Sequence, residues 1–176
     1  MKNVLILPWW MTSLKFYKKH DGLEVCIGEL DPESFAADRV IGLSLGAFSV
    51  LRDAARISGE IVLINPPVPR RDLGAWCMRW LRFITSEGLF LERQKFTKNP
   101  FRYAVALARN IRLLQQDFFE MLPMVTKARI TVIRGKNDKF FCDEEAVAFF
   151  RLHDIKVIEV DGGHNWCEAI EDALLL

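Results

Sequence analysis

The chain has 176 residues, half of them apolar and about a quarter charged, with a formal net charge of +1. That profile suits one soluble globular domain with a substantial core, and a charge so near zero argues against nucleic acid as the partner. The four cysteines, Cys26, Cys77, Cys142 and Cys167, are scattered with no Cys-x-x-Cys, which excludes the usual zinc and disulfide frameworks and points to reduced thiols in a cytoplasmic protein.

In chain order, strands and helices alternate. The opening MKNVLILPWWM is too short an apolar run to span a membrane and lacks a small-residue cleavage site. Asn3–Leu7 reads as a strand buried on both faces and ended by Pro8. Thr12–His20 is expected to be helical, stopped by Asp21-Gly22, and Leu23–Gly28 to be a second strand. Asp31-Pro32-Glu33 places a capping acid before a first-turn proline, so a short helical turn should follow. Arg39–Leu43 is the third strand and Ala47–Ser58 a helix stopped by Gly59. Glu60–Asn65 is the fourth strand, which Pro66-Pro67 prevents from continuing. Arg129–Arg134 is the fifth. Asp143-Glu144-Glu145 opens a helix with acids that favour its positive end, running through Phe150 toward His153. Ile155–Val160 is the sixth strand and Asn165–Leu176 a closing helix. This rhythm implies βαβ units and a mainly parallel six-stranded sheet with helices on both faces. No repeat, phosphate-loop lysine, Gly-x-Gly-x-x-Gly or metal-ligand spacing interrupts it, so neither a cofactor nor a metal is expected.

Residues 68–125 break the rhythm. They read as helices over Asp72–Ile84 and Pro100–Leu122, split by Gly88 and Asn99-Pro100. The expected organisation is therefore a core formed by residues 1–67 and 126–176, with 68–125 as a helical lid insertion. An excursion between parallel strands should lie over their carboxyl ends, where open α/β sheets bind ligands. Between Val68 and Arg112 stand ten basic residues against Asp72, Glu87 and Glu92, a local charge of about +7. Such a face either steers anionic partners or is an ordinary solvated helix surface.

Gly42-Leu43-Ser44-Leu45-Gly46 joins the third strand to the helix after it. A strand entering and a helix leaving are what a nucleophile elbow requires, with the serine hydroxyl raised at the strand end. Glycines on either side let neighbouring segments pack close to the bend. A serine hydroxyl needs a base. Of three histidines, His20 and His153 lie in stretches that read as solvated, whereas His164 follows the sixth strand in Asp161-Gly162-Gly163-His164. Parallel strands share a carboxyl edge, so His164 should meet Ser44 there. The base needs an acid to fix its tautomer. Asp138 follows the fifth strand and fits that role, while Asp161 is better placed to cap a turn.

Gly42–Gly46, Gly135-x-x-Asp138 and Gly163-His164 together resemble the nucleophile, acid and histidine motifs of the α/β-hydrolase superfamily, in order and over nearly the whole chain. The resemblance implies a trimmed form of that fold, lacking the two strands that normally come first. It also implies a catalytic triad of Ser44, Asp138 and His164, with an oxyanion hole from two backbone N–H groups. One is that of Leu45. The other comes from the loop after the first strand, at Trp10 or alternatively Trp9, where many members carry His-Gly and this chain has Pro8-Trp9-Trp10-Met11. Trp9, Trp10 and Trp166 are candidates for a substrate pocket, and the tryptophans could equally be core.

The expected activity is hydrolysis of a carboxylic ester or thioester through an acyl-enzyme. Apolar lid residues suit an apolar acyl group. The basic excursion suits an anionic leaving portion, such as coenzyme A or an acidic carrier protein. Two other readings share the fold: a lyase or perhydrolase, and a binding protein with an idle triad that docks an acidic partner.

Overall fold

The computed structural model describes residues 4–7, 23–24, 30, 33–86, 105, 108, 111–112 and 114–175. Its strands are β1 (Val4–Leu7), β2 (Leu23–Glu24), β3 (Arg39–Leu43), β4 (Glu60–Ile64), β5 (Ile130–Gly135) and β6 (Lys156–Val160). They form one sheet in the order β2-β1-β3-β4-β5-β6, every neighbouring pair parallel. Six strands were the expectation, the second over Leu23–Gly28. Instead, five are four to six residues long, and β2 is a two-residue edge pairing Leu23 with Leu5 and Glu24 with Ile6. The rest of the expected second strand, Cys26 and the expected helix over Thr12–His20 lie outside the described residues.

The helices are α1 (Gly46–Asp53), α2 (Leu73–Ser86), α3 (Met124–Lys127), α4 (Glu144–Leu152) and α5 (Glu168–Leu174), with a 3-10 turn over Glu33–Ala36. Strand side chains alternate between two apolar layers, as a pleat requires. Leu5, Leu7, Val40, Ile61, Leu63, Ile130 and Val132 join Val50 and Leu51 of α1 and Phe150 of α4. Ile6, Ile41, Leu43, Val62, Ile64 and Ile133 join Trp76 and Phe83 of α2 and Ile170 of α5 on the other face. A sheet covered on both sides needs apolar residues at every position, which is why these strands read as continuous rather than alternating runs.

Three expected helix limits are corrected. α1 ends at Asp53, not Ser58, because the chain turns to bring the Ser58 N–H onto Phe35 O. α5 starts at Glu168 rather than Asn165, since the residues before it form the loop that carries His164. The helix expected over Pro100–Leu122 is helical at the described residues up to Leu114. It then gives way to turns that sink Phe119 among Phe149, Phe150 and His153. The other expected helix of the excursion is present as α2, starting one residue after Asp72 and running two residues further, to Ser86.

Candidate active site

Ser44, Asn65, Asp138 and His164 all follow strand carboxyl ends: β3, β4, β5 and β6 in turn. The strand order reverses between β1 and β3, and Ser44 stands at that switch point, where ligands bind in open parallel sheets. Ser44 has φ 50°, the left-handed region that a residue with a side chain rarely enters. Strain of about 1–3 kcal/mol is held there by the surrounding packing. Its N–H donates to Ile64 O at 2.8 Å, which pins the turn to β4. Gly42 is required one step earlier. A Cβ there would stand 2.7 Å from Ala47 Cα, so α1 could not lie so close to β3. Leu45 is the N-cap of α1, and a helix's first N–H groups lack intrahelical acceptors.

Asp138 sits in the β5–α4 loop and is fully buried. Its Oδ1 accepts the N–H groups of Phe140 and Phe141 at 3.0 and 3.1 Å. Its Oδ2 accepts that of Cys142 at 3.1 Å. Arg134, 2% exposed, is tied to this loop. Its Nε donates to Cys142 O at 2.7 Å, and its other nitrogens pair with Glu159 and Glu144. Burial pushes the Asp138 carboxyl up, but His164 and the backbone donors outweigh it and hold the group below its ordinary value. The neighbouring Cys142 thiol is pushed well up by burial and by the Asp138 charge, which leaves it protonated and unreactive.

His164 joins the other two. Its Nδ1 lies 2.7 Å from Asp138 Oδ2, and its Nε2 lies 2.8 Å from Ser44 Oγ. An ionised Asp138 can only accept, so the ring proton is on Nδ1. Nε2 is then the acceptor, and the Ser44 hydroxyl donates to it. The imidazole packs against Phe141 (ring centroids 4.5 Å) and edge-on against Phe83 of α2 (5.1 Å). Trp76 of α2 stacks on Phe141 at 5.7 Å. Ser44 is 4% and His164 2% exposed.

The remaining sequence candidates are placed as follows. Trp9 and Trp10 lie outside the described residues. Trp166 is buried in the layer with α5, its Nε1 donating to Glu171 Oε1 at 2.8 Å. Among the described basic residues of the excursion, Arg71 and Arg79 turn inward to the α4 N-cap, Asp143. Arg71 Nη2 lies 2.6 Å from Asp143 Oδ1, and Arg79 Nη1 lies 2.5 Å from Oδ2. Burial raises the Asp143 carboxyl, but hydrogen bonds from the two arginines hold it below its ordinary value. Among the described residues no group of three or more His, Cys, Asp or Glu could hold a metal, and no helix is long and apolar enough to cross a membrane.

No family model matches the chain, and no curated protein does. Solved structures do. BpoC of Mycobacterium tuberculosis H37Rv, a candidate non-heme bromoperoxidase, superposes with a TM-score of 0.53 at 12% identity, over 99% of this chain and 91% of that one. Rv0554 of Mycobacterium tuberculosis gives 0.51 at 13% identity, over 99% and 89%. Both are α/β-hydrolase-fold proteins. The chain has the α/β-hydrolase fold. Ser44, Asp138 and His164 lie in loops at the carboxyl edge of the sheet.

Sequence reading did not single out Asn65, Phe83, Phe141 or Arg134. The two phenylalanines carry no signal that separates a ring beside an imidazole from ordinary core. Asn65 does: it is an amide directly after the apolar run Ile61–Ile64, at the carboxyl end of β4.

Proposed function

We propose that the protein is a serine hydrolase acting on carboxylic esters or thioesters. The supporting observation is the His164 imidazole, hydrogen-bonded to both the Ser44 hydroxyl and the Asp138 carboxylate. His164 Nε2 takes the Ser44 proton as Oγ attacks the substrate carbonyl. The Leu45 N–H and one from residues 9–10 receive the developing oxyanion, each donor contributing about 3 kcal/mol. His164 then protonates the leaving alcohol or thiol, and water frees the acyl group by the reverse sequence. The acyl chain rests against Phe83 and Phe141, and residues 68–125 act as a lid over the site. The basic residues of that segment that do not turn inward select an anionic leaving portion, such as coenzyme A or an acidic carrier protein.

The test is a chain-length series of p-nitrophenyl esters run beside acyl-coenzyme A thioesters, on wild type and Ser44→Ala. Turnover that depends on Ser44 supports the reading. Hydrolysis that survives the substitution, or none on any substrate, removes it.

The bromoperoxidase description of a structural neighbour favours one second reading, a perhydrolase. Hydrogen peroxide would replace water in attacking the acyl-enzyme, releasing a peracid and regenerating Ser44. Peracid formation from ester and peroxide, faster than hydrolysis of the same ester, identifies that activity.

A further inference from the structure

We propose that Asn65 is the positioning residue of this site, one side chain that fixes the loop of His164 relative to the stretches carrying Ser44 and Asp138. The proposal rests on the hydrolase reading for its functional consequence, not for its geometry. Asn65 is fully buried and adopts φ 45° directly after β4. Asparagine is among the few residues that tolerate this region. From the carboxyl end of β4, its amide reaches the end of β5 and the loop after β6.

Every polar atom of that amide has a partner. Oδ1 accepts the Gly135 N–H at 2.8 Å, and Nδ2 donates to Gly163 O at 3.1 Å and His164 O at 2.8 Å. These partners fix which end of the amide is which, because an N–H must meet oxygen and two carbonyls must meet NH2. The backbone extends the reach. Ile64 O holds the Ser44 N–H, the Asn65 N–H donates to Ile133 O, and Gly135 O accepts the Asp138 N–H. The Ile64–Asn65 dipeptide thus contacts the Ser44 turn, the stretch leading to Asp138 and the His164 loop. Gly135 makes the span possible. A Cβ there would stand 2.2 Å from Gly163 O, so the histidine loop lies directly across it.

Other bonds also hold that loop, from Lys136 N–H to Val160 O and from Asn137 N–H to Gly162 O. Loss of the Asn65 amide therefore frees the His164 carbonyl without dissolving the fold. Asn65→Asp keeps size and turn tolerance but sets a carboxylate oxygen against two carbonyl oxygens. Asn65→Gly removes the amide at a φ that glycine adopts freely.

Two readouts separate geometry from function. Proton NMR follows the low-field His164 Nδ1–H resonance of the bond to Asp138. A fluorophosphonate probe follows the labelling rate of Ser44 per folded molecule. The expected result for both variants is a shifted or lost resonance, with labelling slowed about 100-fold, as a small misplacement of a reacting group costs. KM for an ester should stay within about twofold, since the substrate contacts are untouched. An unchanged resonance in the folded variants overturns the proposal, and so does failure of both variants to fold. A wild type that shows the resonance but never labels ends the hydrolase reading instead, and a resonance lost in the variants still supports the positioning role.

Discussion

Replacing Asp138 by asparagine should cost far more activity than stability. The carboxylate accepts four bonds: from Phe140 and Phe141 on Oδ1, and from Cys142 and His164 on Oδ2. An asparagine has one acceptor oxygen. If that oxygen stays on the Phe140–Phe141 side, its NH2 faces the Cys142 N–H and the His164 ring. The imidazole then relieves the clash by moving its proton to Nε2, where it points at Ser44 Oγ and can no longer take the hydroxyl proton. A tautomer error of this kind costs about 10⁴ in kcat, or about 5.5 kcal/mol of barrier. The stability loss is smaller. One buried N–H left unsatisfied, with the remaining bonds weakened from charged to neutral, comes to about 2–4 kcal/mol. The assay is kcat/KM on the best ester of the series, corrected for folded fraction from urea unfolding. A folded Asp138→Asn enzyme within about tenfold of wild type would refute the assigned tautomer and role.

Acid should destabilise the protein through Asp138 and Asp143, whose carboxyls are both held below their ordinary values. Their contribution is fully present above the unfolded carboxylate pKa of about 4 and is lost as pH falls through the lower folded values. Urea unfolding against pH should therefore decline steeply below about pH 4, and Asp143→Asn should flatten that decline. Equal slopes in the two proteins would be contrary evidence. Gly135→Ala should displace the histidine loop, since its Cβ would meet Gly163 O and Gly162 O at 2.2 and 2.6 Å. The expected outcome is about 100-fold slower ester turnover by a folded protein, against little change for Gly74→Ala at an exposed position of α2. Arg134→Met should lose about 1–3 kcal/mol, because it leaves the buried Cys142 O without its donor, while Glu144 and Glu159 keep access to water. Arg151→Ala, which loses only an exposed pair to Glu159, serves as its control in urea unfolding.

The strands that carry the site are legible because each is a short β-branched run between breakers. RVIGL is observed with the expected bounds, β4 and β6 are each one residue shorter than expected, and β5 is shifted by one residue toward the C-terminus. That alone brings Ser44, Asp138 and His164 to one edge, since parallel strands all end on the same side. Helix ends are less legible, because tertiary contacts decide them. α1 stops where residues 57–58 must reach the 3-10 turn, and nothing local to Asp53 announces it. Asn65 is the clearest limit. Its partners lie 70, 98 and 99 residues away, and its left-handed turn has no pattern in the neighbouring residues beyond Pro66-Pro67. The inward turn of Arg71 and Arg79 is equally hidden. By composition they belong to a basic surface, and only the fold brings Asp143 to them.

Intact-mass analysis of wild type and Ser44→Ala after exposure to a fluorophosphonate probes the hydroxyl, its base and the oxyanion donors together. One adduct per chain, mapped to Ser44 and absent from Ser44→Ala, is the predicted result. A wild type that stays unmodified, or an alanine variant that labels equally, would contradict acyl transfer at this site.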